Sequence, residues 1–217
     1  MTAPTTTLPA YEVLAIRFGS SSARPGSQNF IMPDGHDGPM QMDFYIWAIR
    51  HADRTIVVDT GFSPGASSRR NRQFVHPPAE ALAMAGVDPA AVGDVVLSHL
   101  HWDHAGNIDL FPTATFHIQD AEMAQATGRC ICHKWFRRQS EVDDVVALVR
   151  NLYAGRVAFH DGEGEIAPGV TVHLIGATPA ASRWSASTRR AAGWYWRATP
   201  CTTGPISRSA TRFPPPT

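Results

Sequence analysis

Ser98-His99-Leu100-His101-Trp102-Asp103-His104-Ala105-Gly106-Asn107 places three imidazoles and a carboxylate within six residues, directly after the short apolar stretch Asp94-Val95-Val96-Leu97. A lone histidine is usually a satisfied surface or core residue. Four donors crowded at a strand end have few uses other than holding a metal. Neutral imidazole nitrogen and carboxylate oxygen are the ligands zinc takes when no thiolate is offered. If the chain is still extended, His99 and His101 point to the same side. A turn after them lets Asp103 and His104 face a second point nearby. One loop then starts two neighbouring metal sites.

The pattern His99-x-His101-x-Asp103-His104 resembles the signature of the metallo-β-lactamase fold superfamily. Its context, including Ile56-Val57-Val58-Asp59-Thr60-Gly61, is similar to the N-acyl homoserine lactonase branch. The resemblance runs from Tyr11 to Gly176. It implies an α+β fold, the four-layer αββα sandwich, with two Zn2+ ions about 3.5 Å apart sharing a hydroxide. In that scheme His99 and His101 hold the first metal, and Asp103 and His104 the second. Asp59 supports these ligands from behind. The hydroxide attacks the lactone carbonyl, and Asp103 passes a proton to the leaving alkoxide. The implied activity is quorum quenching by lactone hydrolysis. The signature does not separate this from a glyoxalase II-like thioesterase or a β-lactamase-like hydrolase; the flanking resemblance favours lactones.

Bulk properties agree with a small-molecule enzyme. At 217 residues the chain forms one domain around one core. It is 43% hydrophobic and 18% charged, as soluble globular proteins are, and its formal net charge of zero leaves no electrostatic case for nucleic acid or a membrane surface. No apolar run is long enough to span a bilayer. Met1–Pro9 lacks the basic start and apolar stretch of a signal peptide, so residues 1–10 read as a disordered lead-in to a cytoplasmic protein. The oligomeric state is not legible. Cys130, Cys132 and Cys201 make no disulfide framework. Cys130-Ile131-Cys132-His133 is one residue short of the usual C-x-x-C zinc spacing, with no second pair, which favours ordinary thiols.

Outward from the histidine loop, Tyr11–Arg17, Met42–Ile49, Arg54–Asp59, Asp94–Leu97, Thr113–Gln119, Val157–His160 and Val170–Ile175 read as strands. Pro77–Ala85, Asp120–Ala126 and Ser140–Tyr153 read as helices, the last with Ser140 and Asp143 as a near capping box. Gly19–Gly38 reads as a loop. So does Gly61–Val75, whose Arg69, Arg70 and Arg72 suit a solvated face or a wall over the site. His117, His160 and His173 fall on strands and read as structural.

The family-like domain spans 11–176, and the character of the chain changes after it. Residues 166–217 contain no Asp or Glu and six arginines. Trp184, Trp194 and Trp196 follow no structural period, and three tryptophans are unlike ordinary disorder. The family expects a Gly-His-Thr segment near Gly176, then an aspartate bridging the two metals; neither is present. One shifted reading phase restores both. Pro200–Ile206 is encodable by CCA TGC ACT ACT GGG CCA ATA, which from its third base reads Met-His-Tyr-Trp-Ala-Asn. With suitable codons, Trp194–Thr199 in the same phase can give Leu-Val-Leu-Ala-Ser-Asp, and the stretch from Ala177 can give Gly-His-Thr. Residues 177–217 therefore read as an out-of-frame, poorly ordered tail that leaves the C-terminal half of the fold incomplete. With four of seven expected ligands, the chain is expected to bind zinc weakly, to be nearly inactive, and to expose apolar sheet edges that favour aggregation.

Overall fold

The structure, a computed structural model, describes residues 9–28, 38–175 and, by backbone alone, 183–188. Among the described residues, ten strands form two sheets. The first has seven strands in the order β4-β1-β2-β3-β5-β6-β7. Here β1 is Glu12–Pro25, β2 Pro39–His51, β3 Arg54–Val58, β4 Gln73–Phe74, β5 Asp94–Val96, β6 Thr115–Gln119 and β7 Val157–His160. β4, β1, β2 and β3 pair antiparallel, while β3, β5, β6 and β7 pair parallel. The second sheet holds β8 (Gly164–Ala167), β9 (Val170–Ile175) and β10 (Arg183–Thr188), all antiparallel.

The alternation of side chains along the central strands builds the layers. Ala48, Val57 and Val95 enter a large core beneath the helices, with Phe18, Phe62, Leu82, Phe116 and Leu148. Their neighbours Ile49, Ile56 and Val96 point the other way and meet Ala167, Val170 and Val172 of the second sheet. The two sheets are therefore stacked face to face through a smaller apolar seam. α1 is Pro64–Arg69, α2 Pro78–Met84, α3 Asp120–Thr127, α4 Lys134–Arg137 and α5 Val142–Tyr153. α2 packs on β1, α3 on β6 and α5 on β7, so the sizeable helix–sheet contacts among the described residues all involve the seven-stranded sheet. No helix among them is long and apolar enough to cross a membrane.

Three sequence expectations change. β1 runs on to Pro25 with register shifts between Arg17 and Gly19 and between Ser21 and Arg24, so part of the Gly19–Gly38 loop is strand. Residues 29–37 and residues 1–8 of the lead-in 1–10 lie outside the described residues. Gly61–Val75 is not one loop: Ser63 Oγ accepts the Ala66 amide at 3.2 Å and Pro64 fixes the first turn of α1, after which Gln73–Phe74 pairs with β1. Finally, Ser140 does not cap α5. The N-cap is Glu141, whose carboxylate goes instead to Arg69 at 2.7 Å and Arg70 at 2.9 Å. Of the span 177–217, Arg183–Thr188 is described as strand β10, paired with β9 from Ile175 to Val170; the rest lies outside the described residues.

Candidate functional site

The site sits where β3 and β5, parallel neighbours in the sheet centre, end side by side. Two loops leave there and are tied to one another. The Asp59 amide donates to the Val96 carbonyl at 2.8 Å, and the Thr60 amide to the His104 carbonyl at 2.7 Å. The Gly106 amide donates to the Gly61 carbonyl at 2.8 Å. Asn107 Nδ2 donates to the carbonyls of Thr60 and Phe62 at 2.8 and 2.9 Å. Gly106 is required by this closeness: a Cβ there would lie 2.5 Å from the Ser63 nitrogen. From the other side, the buried Glu122 of α3 accepts the Leu100 amide at 2.9 Å.

Asp59 organises the histidines. It is 5% exposed and held at φ 63°, an uncommon conformation for a residue with a side chain. Its carboxylate accepts from the Ser98 amide at 2.7 Å, from Ser98 Oγ at 2.8 Å and from His104 Nδ1 at 2.7 Å. The one Ser98 hydroxyl proton goes to Asp59, so Oγ is left to accept from His99 Nδ1, 3.0 Å away. That sets the tautomer of His99, making Nε2 its acceptor nitrogen. The His99 ring then contacts both others, at centroid distances of 4.4 Å to His101 and 4.0 Å to His104. Asp103 Oδ2 lies 3.5 Å from His104 Nε2. The four sequence-predicted residues are thus brought together, with Asp59 behind them.

Electrostatics follow from this packing. Burial opposes a charge on His104, but Asp59 and Asp103 on either side outweigh it and raise its pKa to about 10. Burial would also raise the Asp103 carboxyl, yet His104 and His101 hold it below its ordinary value. Two imidazoles beside an imidazole–carboxylate pair suit zinc by donor type. Among the described residues, however, no three of His, Cys, Asp or Glu are arranged to hold an ion by themselves.

Sequence reasoning missed the bracing groups. Ser98, Thr60, Asn107 and Glu122 act through hydrogen bonds to backbone or ring nitrogen, which no spacing pattern announces. Trp102, within the loop, is 8% exposed and packs on Phe44 and Phe62. The Arg70 guanidinium lies 4.7 Å from its ring centroid and Arg72 5.7 Å, so the basic stretch does flank the loop. His117 is structural in position: Nε2 donates to Asp94 at 3.1 Å and Nδ1 is 3.1 Å from His160 Nε2. His173 lies beside Thr171 on β9, 2.9 Å from its hydroxyl. Cys132 is free and exposed.

Residues 45–183 match the family model of the metallo-beta-lactamase superfamily. An N-acyl homoserine lactonase, AiiB of Agrobacterium fabrum, is 29% identical over 148 residues, 60% of this chain and 52% of its own length. A second, AttM of Rhizobium johnstonii, is 56% identical over 41 residues, 19% of this chain and 16% of its own. The chain thus spans at most about half the length of these curated relatives. Among solved structures, AidC, described as a dizinc quorum-quenching lactonase in complex with a product, superposes with a TM-score of 0.57 at 18% identity, covering 85% of this chain and 70% of its own.

Proposed function

Because this chain belongs to the metallo-β-lactamase superfamily, we propose that it derives from a zinc-dependent hydrolase of the lactonase type, acting on N-acyl homoserine lactones or a similar cyclic ester. The observation that carries the reading is the Asp59–Ser98 brace, which sets the tautomer of His99 and orients His104 while keeping both rings in contact. His99 and His101 would hold one ion, and Asp103 and His104 a second. Bound zinc brings the pKa of water near neutrality and polarises a carbonyl. The chain's own groups do the rest. Asp59 fixes the Nδ1 proton of His104. Ser98 does so for His99. Asp103, held ionised by its imidazole neighbours, is placed to accept a proton.

We further propose that residues from 177 onward are read out of frame, so that this polypeptide lacks the remaining ligands, binds zinc weakly and is impaired. The sequence supports this: residues 174–217 contain no His, Asp or Glu, which leaves two of the proposed ligands for each ion, whereas catalytic zinc generally has three from protein. One experiment tests both parts. The chain and a frame-restored version are assayed side by side for zinc content and for hydrolysis of an acyl homoserine lactone, an acyl thioester and a β-lactam. The expected result is low zinc and little turnover for the first, with two zinc ions and lactone hydrolysis for the second. Preference of the restored protein for thioester would replace lactone with the glyoxalase II-like reading. Two tightly held zinc ions with ready turnover in the 217-residue chain would overturn the impairment, as would DNA sequence across Ile175 and Gly176 showing no gained or lost base relative to close relatives.

A further inference from the structure

Helix α5 buries two polar side chains against the domain and leaves several large apolar ones exposed. Successive helical residues advance by about 100°, so residues 144, 148 and 151 share one face and 142, 146, 149 and 153 the opposite one. The face against the domain carries Asp144, Leu148 and Asn151. Two of these three are polar, and Asp144 Oδ2 and Asn151 Oδ1 are buried without a hydrogen-bond partner. The outward face carries Val142, Val146 and Tyr153, with Val142 72% and Tyr153 89% exposed, and at its edge Val149, which is partly buried against the core. An apolar stripe facing away from the core while polar groups face it is the reverse of a surface helix that has no other partner.

Charge says what covers the stripe. Asp143 and Arg150 are both exposed and lie along the same flank of it, seven residues apart. No ion pair among the described residues uses either one. We propose that this face of α5 packs antiparallel on the same face of a second copy of the chain. With Val142 level with Tyr153 of the second copy, Val146 meets Val149. In that register Asp143 of one copy comes within two residues, about 3 Å along the axis, of Arg150 of the other. The two-fold axis makes the pair occur twice. A parallel two-fold pairing would put the two charged flanks on opposite sides of the contact, so that Asp143 and Arg150 of the two copies would not meet. One helix face about 18 Å long is small beside the roughly 800 Å² per partner of a stable interface, so the dimer is weak, micromolar or weaker.

Analytical ultracentrifugation of the full chain over a wide concentration range tests this. The wild-type chain is expected to pass from monomer to dimer. Asp143→Arg and Arg150→Asp should each weaken the dimer by at least about tenfold, since each reversal acts twice. The double variant should return to within a few-fold of wild type, and Val146→Glu should abolish association. Circular dichroism confirms that each variant is folded. Hydrogen exchange of the unmutated chain at low and high concentration adds a readout that needs no variant: extra protection should be confined to α5. A monomer throughout overturns the proposal, whether the face is bare or covered by the chain's own residues 189–217. So does a dimer that the single reversals leave intact, or a double variant that fails to recover.

Discussion

Asp59 concentrates three hydrogen bonds on one buried carboxylate in a strained backbone position, so its removal separates charge from shape. Asp59→Ala leaves Ser98 and the protonated His104 without their acceptor and should cost about 3 kcal/mol, in line with breaking a buried pair. Asp59→Asn keeps the side-chain outline and tolerates φ 63°, yet an amide cannot carry the charge that stabilises the imidazolium. Denaturant midpoints should therefore rank wild type above Asn above Ala, and zinc affinity of the frame-restored protein should fall about 10- to 100-fold in both variants. Asp144 behaves in the opposite sense. Burial raises its pKa to about 7, and Glu141 and Asp143 add to this, against the opposing pull of Arg69 and Arg70. Its folded pKa lies above the unfolded value of 3.8, so the protonated form is the one the fold prefers. The associated stability is fully present below pH 4 and is lost as pH rises through 7. Asp144→Asn, which cannot ionise, should match wild type near pH 4 and exceed it by about 1–2 kcal/mol at pH 8, after allowance for solvent screening. Equal pH profiles for the two proteins would exclude this account.

At the level of elements, the decisive junction is between the loops that leave β3 and β5. They approach so closely that Gly106 has no space for a methyl group: a Cβ would meet the Ser63 nitrogen at 2.5 Å and the Gly61 carbonyl at 2.8 Å, both backbone atoms that cannot swing aside. Gly106→Ala should lower stability by about 1–3 kcal/mol and loosen the Thr60–His104 bond. Gly93, just before β5, is the control, because a Cβ there meets nothing within 4 Å. Gly93→Ala should leave the melting temperature within a degree or two of wild type, and similar losses for both variants would show that loop closeness is not the cause. The strands at this junction were legible beforehand because Ile56-Val57-Val58 and Asp94-Val95-Val96 are short apolar runs buried on both faces. α1 was not, because a six-residue helix capped by Ser63 carries no apolar period. Nor was the end of α5, because Glu141 is drawn away by two arginines that lie about seventy residues earlier in the chain.

At the scale of the molecule, the described residues form two cores that divide the work. The larger lies under the helices, and the smaller joins the sheets through Ile49, Ile56, Val96, Ala167, Val170 and Val172. Val170→Ala should cost about 2 kcal/mol. Because the seam is thin, the loss should be local: amides of β8 and β9 should exchange faster while those of β3 and β5 keep their protection, a pattern read by hydrogen exchange. The family and the four clustered donors were determined by sequence alone, because metal-ligand types at strand-end spacing depend on neighbours only a few residues away. The parallel strands were likewise written in local apolar runs. Only the tertiary structure decided that Asp59, some forty residues before the histidines, sets the ring tautomer through Ser98, that Asn107 and Gly106 lock the two loops, and that α5 turns Val142 and Val146 outward. Each of these depends on hydrogen bonds, close approach or burial between segments distant in the chain, and those distances exist only once the sheets have stacked.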